Sequence, residues 1–132
     1  MPFRAATFNA GLALNFVDFA NERAPVVAEE LGKLDTELLV VQEVWEPEHV
    51  AAVEDATAAQ YPNQIFLEPQ PGDGFAYGGT FGIGLLTNQE IVEQDTLYLD
   101  ASLNRRAVIY AELDTDQIGT VHVFATHLSA IF

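Results

Sequence analysis

The chain has no cysteine, one tryptophan and only five basic residues among 132. Without cysteine there is no disulfide framework, no thiolate zinc finger and no thiol nucleophile. The shortage of base, one Lys and four Arg against 20 acids, leaves a formal net charge of -15. A chain this acidic repels polyphosphate at long range, which disfavours nucleic-acid binding through a basic patch. A bound divalent cation would reverse that sign locally. The acid surplus equally fits adaptation to a salty cytoplasm. No apolar stretch approaches the roughly 20 residues of a membrane span. Met1-Pro2-Phe3-Arg4 leads directly into a strand pattern, without the basic and then apolar regions of a secretory signal. The expectation is a cytoplasmic chain.

What is present is apolar residue, 49% of the total, enough for one domain with one core over residues 1–132. Phe3 to Phe8 reads as a first strand, stopped by Asn9-Ala10-Gly11. Asn21 is placed to cap a helix over 22–34, where Val26, Val27, Leu31 and Leu34 follow helical spacing. Leu38-Leu39-Val40-Val41 predicts a strand buried on both faces, running into Gln42-Glu43-Val44-Trp45. Glu46-Pro47-Glu48 opens a second helix extending to about Gln60. Later strands are predicted at 64–67, 81–87, 91–99, 106–113 and 121–126. A loop spans Pro69 to Gly79, and Asn88-Gln89 is a candidate hairpin turn. The order β-α-β-α followed by short-linked strands predicts an α/β fold with a mixed sheet and antiparallel pairing late in the chain. No G-x-G-x-x-G opens a helix, so this is not a Rossmann unit.

Three polar residues stand at the ends of three apolar runs: Asn9, Glu43 and His127. Each has a plain structural reading, as turn former, first-turn helix acid and hydrogen-bonded core histidine. Together they fit a different chemistry. A carboxylate is a hard oxygen ligand for Mg²⁺, which takes only one or two of them. An amide orients a ligand without adding charge, and an imidazole bonds ester oxygens or moves a proton near neutral pH. His49, in a helix, and His122, out of phase with His127 on its strand, read as surface residues.

Five segments resemble, in order, the motifs of the endonuclease/exonuclease/phosphatase superfamily, the DNase I-like metal-dependent phosphoesterases. They are Ala6-Thr7-Phe8-Asn9, Val41-Gln42-Glu43-Val44, Gly82-Ile83-Gly84-Leu85-Leu86-Thr87, Arg105-Arg106-Ala107-Val108 and Ala125-Thr126-His127-Leu128. The resemblance implies the N-terminal half of a four-layer α/β/β/α sandwich. It implies Glu43 as the Mg²⁺ (or Mn²⁺) ligand, Asn9 beside the metal, His127 on the scissile phosphate, and Arg106 supporting the site or reaching substrate. The implied activity is hydrolysis of a phosphate ester, by a phosphodiesterase, nuclease or phosphatase. The family's Asp-x-Asn motif and final Asp-His pair have no counterpart here. The expectation is therefore one side of an active site, inactive alone. The alternative is a non-catalytic interaction module that keeps the sheet without the chemistry. A half-sandwich would leave an apolar sheet face open, judged from residues 38–41 and 107–113, and the predicted partners are a homodimer mate or a missing C-terminal half.

Overall fold

The structure is a computed structural model that describes residues 2–68, 80–99 and 106–128. The loop expected over Pro69 to Gly79, and Arg105, lie outside the described residues. A four-stranded sheet holds β1 (Ala5–Asn9), β2 (Leu38–Gln42), β3 (Asn63–Phe66) and β4 (Ile83–Thr87) in the order β1-β2-β4-β3. β1 and β2 run parallel, and the other pairs are antiparallel. Helix α1 (Ala20–Leu31) connects β1 to β2, and α2 (Pro47–Thr57) follows β2. A second, three-stranded antiparallel sheet holds β5 (Glu90–Leu99), β6 (Arg106–Thr115) and β7 (Gly119–Thr126).

Side-chain alternation along β2 and β4 divides the core in two. Leu39, Val41 and Leu86 face the helices and pack with Ala24, Ala28, Leu31, Val50 and Val53. Leu38, Ile83 and Leu85 face the other way and pack with Ala107, Ile109, Ala111 and Leu113 of β6 and Val123 and Ala125 of β7. The unbroken apolar run at 38–41 is thus explained: its strand is covered by helices on one side and by a sheet on the other. Among the described residues the layers are α/β/β.

Four expectations are corrected. Asn88-Gln89 is not a hairpin turn, because β4 belongs to the first sheet and β5 to the second; the chain crosses between layers there. Asn21 does not cap α1. The capping position is Phe19, in a left-handed conformation with no side-chain cap, and Asn21 Oδ1 instead bonds His49 Nε2 of α2 at 2.8 Å. That bond accounts for His49, which is buried between the helices and not on the surface. Finally, the stretches thought to open a sheet face are mostly covered: residues 38–41 lie inside, and the 107–113 strand buries its odd-numbered side chains. Among the described residues the outer face of the second sheet is open, with Leu97 and Phe124 exposed on it.

Candidate active site

Three chain turns meet at one end of the two sheets. β1 ends at Asn9, which is in register with Gln42, the last residue of β2. Glu43 follows with φ of 60°, a left-handed conformation that a residue with a Cβ adopts at a cost of about 1–3 kcal/mol. Its neighbours enforce that conformation through the main chain. Ala10 N donates to Gln42 O at 2.8 Å, Leu12 N to Glu43 O at 3.0 Å, and Val44 N to Gly82 O at 3.2 Å. Arg23 clamps the facing loop, its guanidinium donating to Gly11 O at 3.0 Å and to Ala10 O at 3.1 Å. The turn therefore throws the Glu43 carboxylate out of the sheet. α2 starts only at Pro47, so Glu43 is not a first-turn helix acid.

His127, just past β7, brings Nε2 to 3.7 Å from Glu43 Oε1. Arg106, at the start of the neighbouring antiparallel β6, places Nη1 2.7 Å from His127 Nδ1. A guanidinium only donates, so Nδ1 must present its lone pair, and the network assigns the ring proton to Nε2. The imidazole then aims an N–H toward the Glu43 carboxylate. Burial, and next the Arg106 charge, hold the His127 pKa below its ordinary value, while Glu43 pulls the other way. The neutral ring is the stable form at neutral pH.

Trp45 is the floor. It is 2% exposed, its ring lies 6.2 Å from that of His127, and Arg106 Cζ sits 5.5 Å above it, a cation–π distance. Gly82 makes room for the indole: a Cβ there would come within 2.5 Å of Trp45 Cε3, and φ is +69°. Thr80 Oγ1 donates to Trp45 O at 2.8 Å, fixing the segment from the other side. Sequence reading gave no roles to Trp45, Gly82 or Arg23. The single tryptophan two residues past the strand-end acid was the one available signal.

The structure thus brings Glu43, His127 and Arg106 together and puts Asn9 on the adjoining strand end. Asn9 Oδ1 accepts from Gly11 N at 3.0 Å, an Asx turn that makes Asn9 the turn former its place beside Gly11 suggests. Gly11 lies between the two, since a Cβ on it would stand 3.9 Å from Glu43 Oε2. His122 is elsewhere, stacked on Tyr110 on the outer face of the second sheet. Among the described residues no group of three or more His, Asp or Glu forms a metal cage. One 30%-exposed carboxylate with an amide nearby does not suit zinc. It suits a magnesium ion that keeps most of its water.

No protein-family model matches the sequence, and no curated protein matches it. Solved structures do. Sphingomyelinase C from Streptomyces griseocarneus aligns with a TM-score of 0.71 at 20% identity, over 92% of this chain and 47% of that one. Beta toxin from Staphylococcus aureus, in a mutant form with bound magnesium ions, aligns at 0.70 and 16%, over 92% and 47%. An endonuclease/exonuclease/phosphatase from Beutenbergia cavernae aligns at 0.67 and 22%, over 93% and 37%. The chain spans about half the length, or less, of these structures. With two sheets packed face to face and helices outside the first, it has the DNase I-like fold of the endonuclease/exonuclease/phosphatase proteins, over about half of that fold.

Proposed function

We propose that this chain supplies one side of a magnesium-dependent phosphoesterase site. The observation that carries the reading is Glu43, held in a left-handed turn at a strand end and faced at 3.7 Å by a neutral histidine whose other nitrogen takes an arginine N–H. Mg²⁺, or Mn²⁺, would sit on Glu43, with Asn9 holding the ion or its water. When bound, the ion offsets charge on the phosphoryl oxygens. His127 donates its Nε2 proton as a hydrogen bond to a phosphoryl oxygen, where negative charge grows as the ester breaks. Arg106 keeps that tautomer and adds positive charge beside the phosphate. Nothing among these groups takes a proton from an attacking water. This supports a site that needs a second half for turnover.

Mn²⁺ binding, followed by electron paramagnetic resonance, and Mg²⁺-dependent hydrolysis of a generic aryl phosphodiester test this reading. Glu43→Ala is expected to abolish Mn²⁺ binding, and to lower any hydrolysis on the order of 10²-fold. Hydrolysis that survives Glu43→Ala would contradict the ligand role. The second reading, a non-catalytic interaction module, is favoured by the single carboxylate at the site. A chain that binds no Mn²⁺ at millimolar concentration would decide for it.

A further inference from the structure

Acids outnumber bases 20 to five in this chain, and they are the natural partners of its cations. Arg4 pairs with Asp35 and Glu37, and Lys33 with Glu29 and Glu30. Arg23 gives its guanidinium to the main chain instead, Nη1 donating to Gly11 O and Nη2 to Ala10 O. It stands one turn into α1, its own main-chain N–H donating to Phe19 O at 2.8 Å. Near a helix N-terminus the dipole disfavours a cation. α1 thus carries an arginine where helix electrostatics would not put one. A helical side chain points back toward the N-terminus, which lets Arg23 reach the residues after β1.

Its two bonds complete the main chain of the turn. Ala10 N is held by Gln42 O and Gly11 N by Asn9 Oδ1, while Arg23 donates to both carbonyls. Each polar main-chain group of Ala10 and Gly11 therefore has a partner, and the chain enters Leu12 in a fixed direction. Leu12 N then donates to Glu43 O, a bond that helps to hold the Glu43 φ at 60°. Asn9 is tied to the same turn through Gly11 N. Arg23 thus bears on both groups assigned to the ion. Two adjacent carbonyls suit the planar fork of a guanidinium, and a lysine ammonium has no such fork.

Arg23 also brings its charge close. Its Nη2 and Glu43 Oε2 each lie 3.9 Å from the place that a Cβ on Gly11 would take, so they are no more than twice that distance apart. A cation that near repels a metal ion on Glu43. Charge and geometry therefore oppose one another when Arg23 is removed. Loss of the charge tightens metal binding, and loss of the turn loosens it. Arg23 is exposed, so water screens its charge, and the turn outweighs the repulsion. We infer that Arg23 is the positioning residue of the metal side, holding Asn9 and Glu43 in place through the turn at 10–12. This rests on the phosphoesterase reading.

The test is Mn²⁺ affinity by electron paramagnetic resonance, with amide hydrogen exchange by NMR on the same 132-residue proteins. Arg23→Ala is expected to weaken Mn²⁺ binding about tenfold, the loss usual when the support of a metal ligand is removed. Arg23→Lys keeps the charge but not the fork, and should lose affinity as well. In metal-free protein the Leu12 amide should exchange about tenfold faster in Arg23→Ala, while the Leu39 and Val41 amides of β2 keep wild-type rates. Three results would overturn the role of Arg23 alone. One is a wild type that binds Mn²⁺ and an Arg23→Ala variant that binds it as tightly or more tightly. Another is a Leu12 amide that exchanges at the wild-type rate. The last is equal acceleration at Leu12, Leu39 and Val41, which would make Arg23 a general stabiliser. A wild type that binds no Mn²⁺ would instead overturn the phosphoesterase reading, and the metal role of Arg23 with it.

Discussion

At the residue scale, Glu43 is where stability and function oppose one another. A left-handed glutamate is strained, and glycine at the same position would not be. Glu43→Gly is therefore expected to stabilise the chain by about 1 kcal/mol, a rise in melting temperature of about 4 °C. Glu43→Ala keeps a Cβ, so it keeps the strain and should melt near the wild type. Thermal unfolding of the three proteins checks this, and a glycine variant less stable than the alanine variant would remove the case for strain. If Glu43 were only a turn residue, nothing would favour glutamate over glycine there. A strained acid points to use, and the 3.7 Å approach of His127 shows where. The conformation itself was not legible in the sequence. Gln42-Glu43-Val44 announces a buried strand ending on a charge, but a positive φ at a non-glycine residue is imposed by hydrogen bonds from Leu12 N to Glu43 O and from Val44 N to Gly82 O, whose far partners, Leu12 and Gly82, come from distant parts of the chain.

At the scale of elements, the join between β1 and β2 rests on Glu37. Its carboxylate, on a residue 7% exposed, accepts from the Arg4 main-chain N–H and from the Arg4 guanidinium, and its carbonyl accepts from Thr87 Oγ1 at 2.6 Å. One residue thus ties β1, β2 and β4. The Arg4 main-chain bond is the leading cause that holds its pKa below the ordinary carboxylate value, burial opposing. An acid whose pKa is lowered by folding contributes stability that is complete above its unfolded pKa, about 4.3, and is lost as pH falls through the lowered folded value. Glu37→Gln should cost about 1–2 kcal/mol at pH 7 and reduce the loss of stability on acidification below about pH 4. Urea midpoints at pH 7 and pH 3 measure both; an equal deficit at the two pH values would show that the charge contributes nothing. The sequence was legible at this scale wherever periodicity decided, as in the four-residue run of β2, the proline that opens α2 and the alternation of β6. It was not legible where a contact between elements decided. Asn21 looks like a helix cap until His49 of α2 takes its oxygen, and the polar pair after β4 looks like a hairpin because nothing local says that the next strand joins another sheet.

At the scale of the whole molecule, the net charge of -15 bears on any test of the metal site. Twenty acids repel one another, and any cation relieves that by screening, over a length of about 10 Å at 0.1 M ionic strength. Magnesium will thus stabilise the chain whether or not Glu43 binds it, and a rise in melting temperature with MgCl₂ proves nothing alone. A site adds a second contribution, the mass-action free energy of an ion bound only by the folded state. For a dissociation constant of about 1 mM and about 10 mM ion, that contribution is about 1.4 kcal/mol, or about 4 °C. The expected outcome is that wild type gains more from MgCl₂ than from NaCl at equal ionic strength. Glu43→Gln should lose most of that excess while keeping its response to NaCl, since 19 of the 20 acids remain and the isosteric amide leaves the turn intact. His127 accepts from Arg106 in either protein, so its side of the site is unchanged. If the variant keeps the whole magnesium excess, the ion is bound by diffuse acidity, and Glu43 marks a strand end and not a metal.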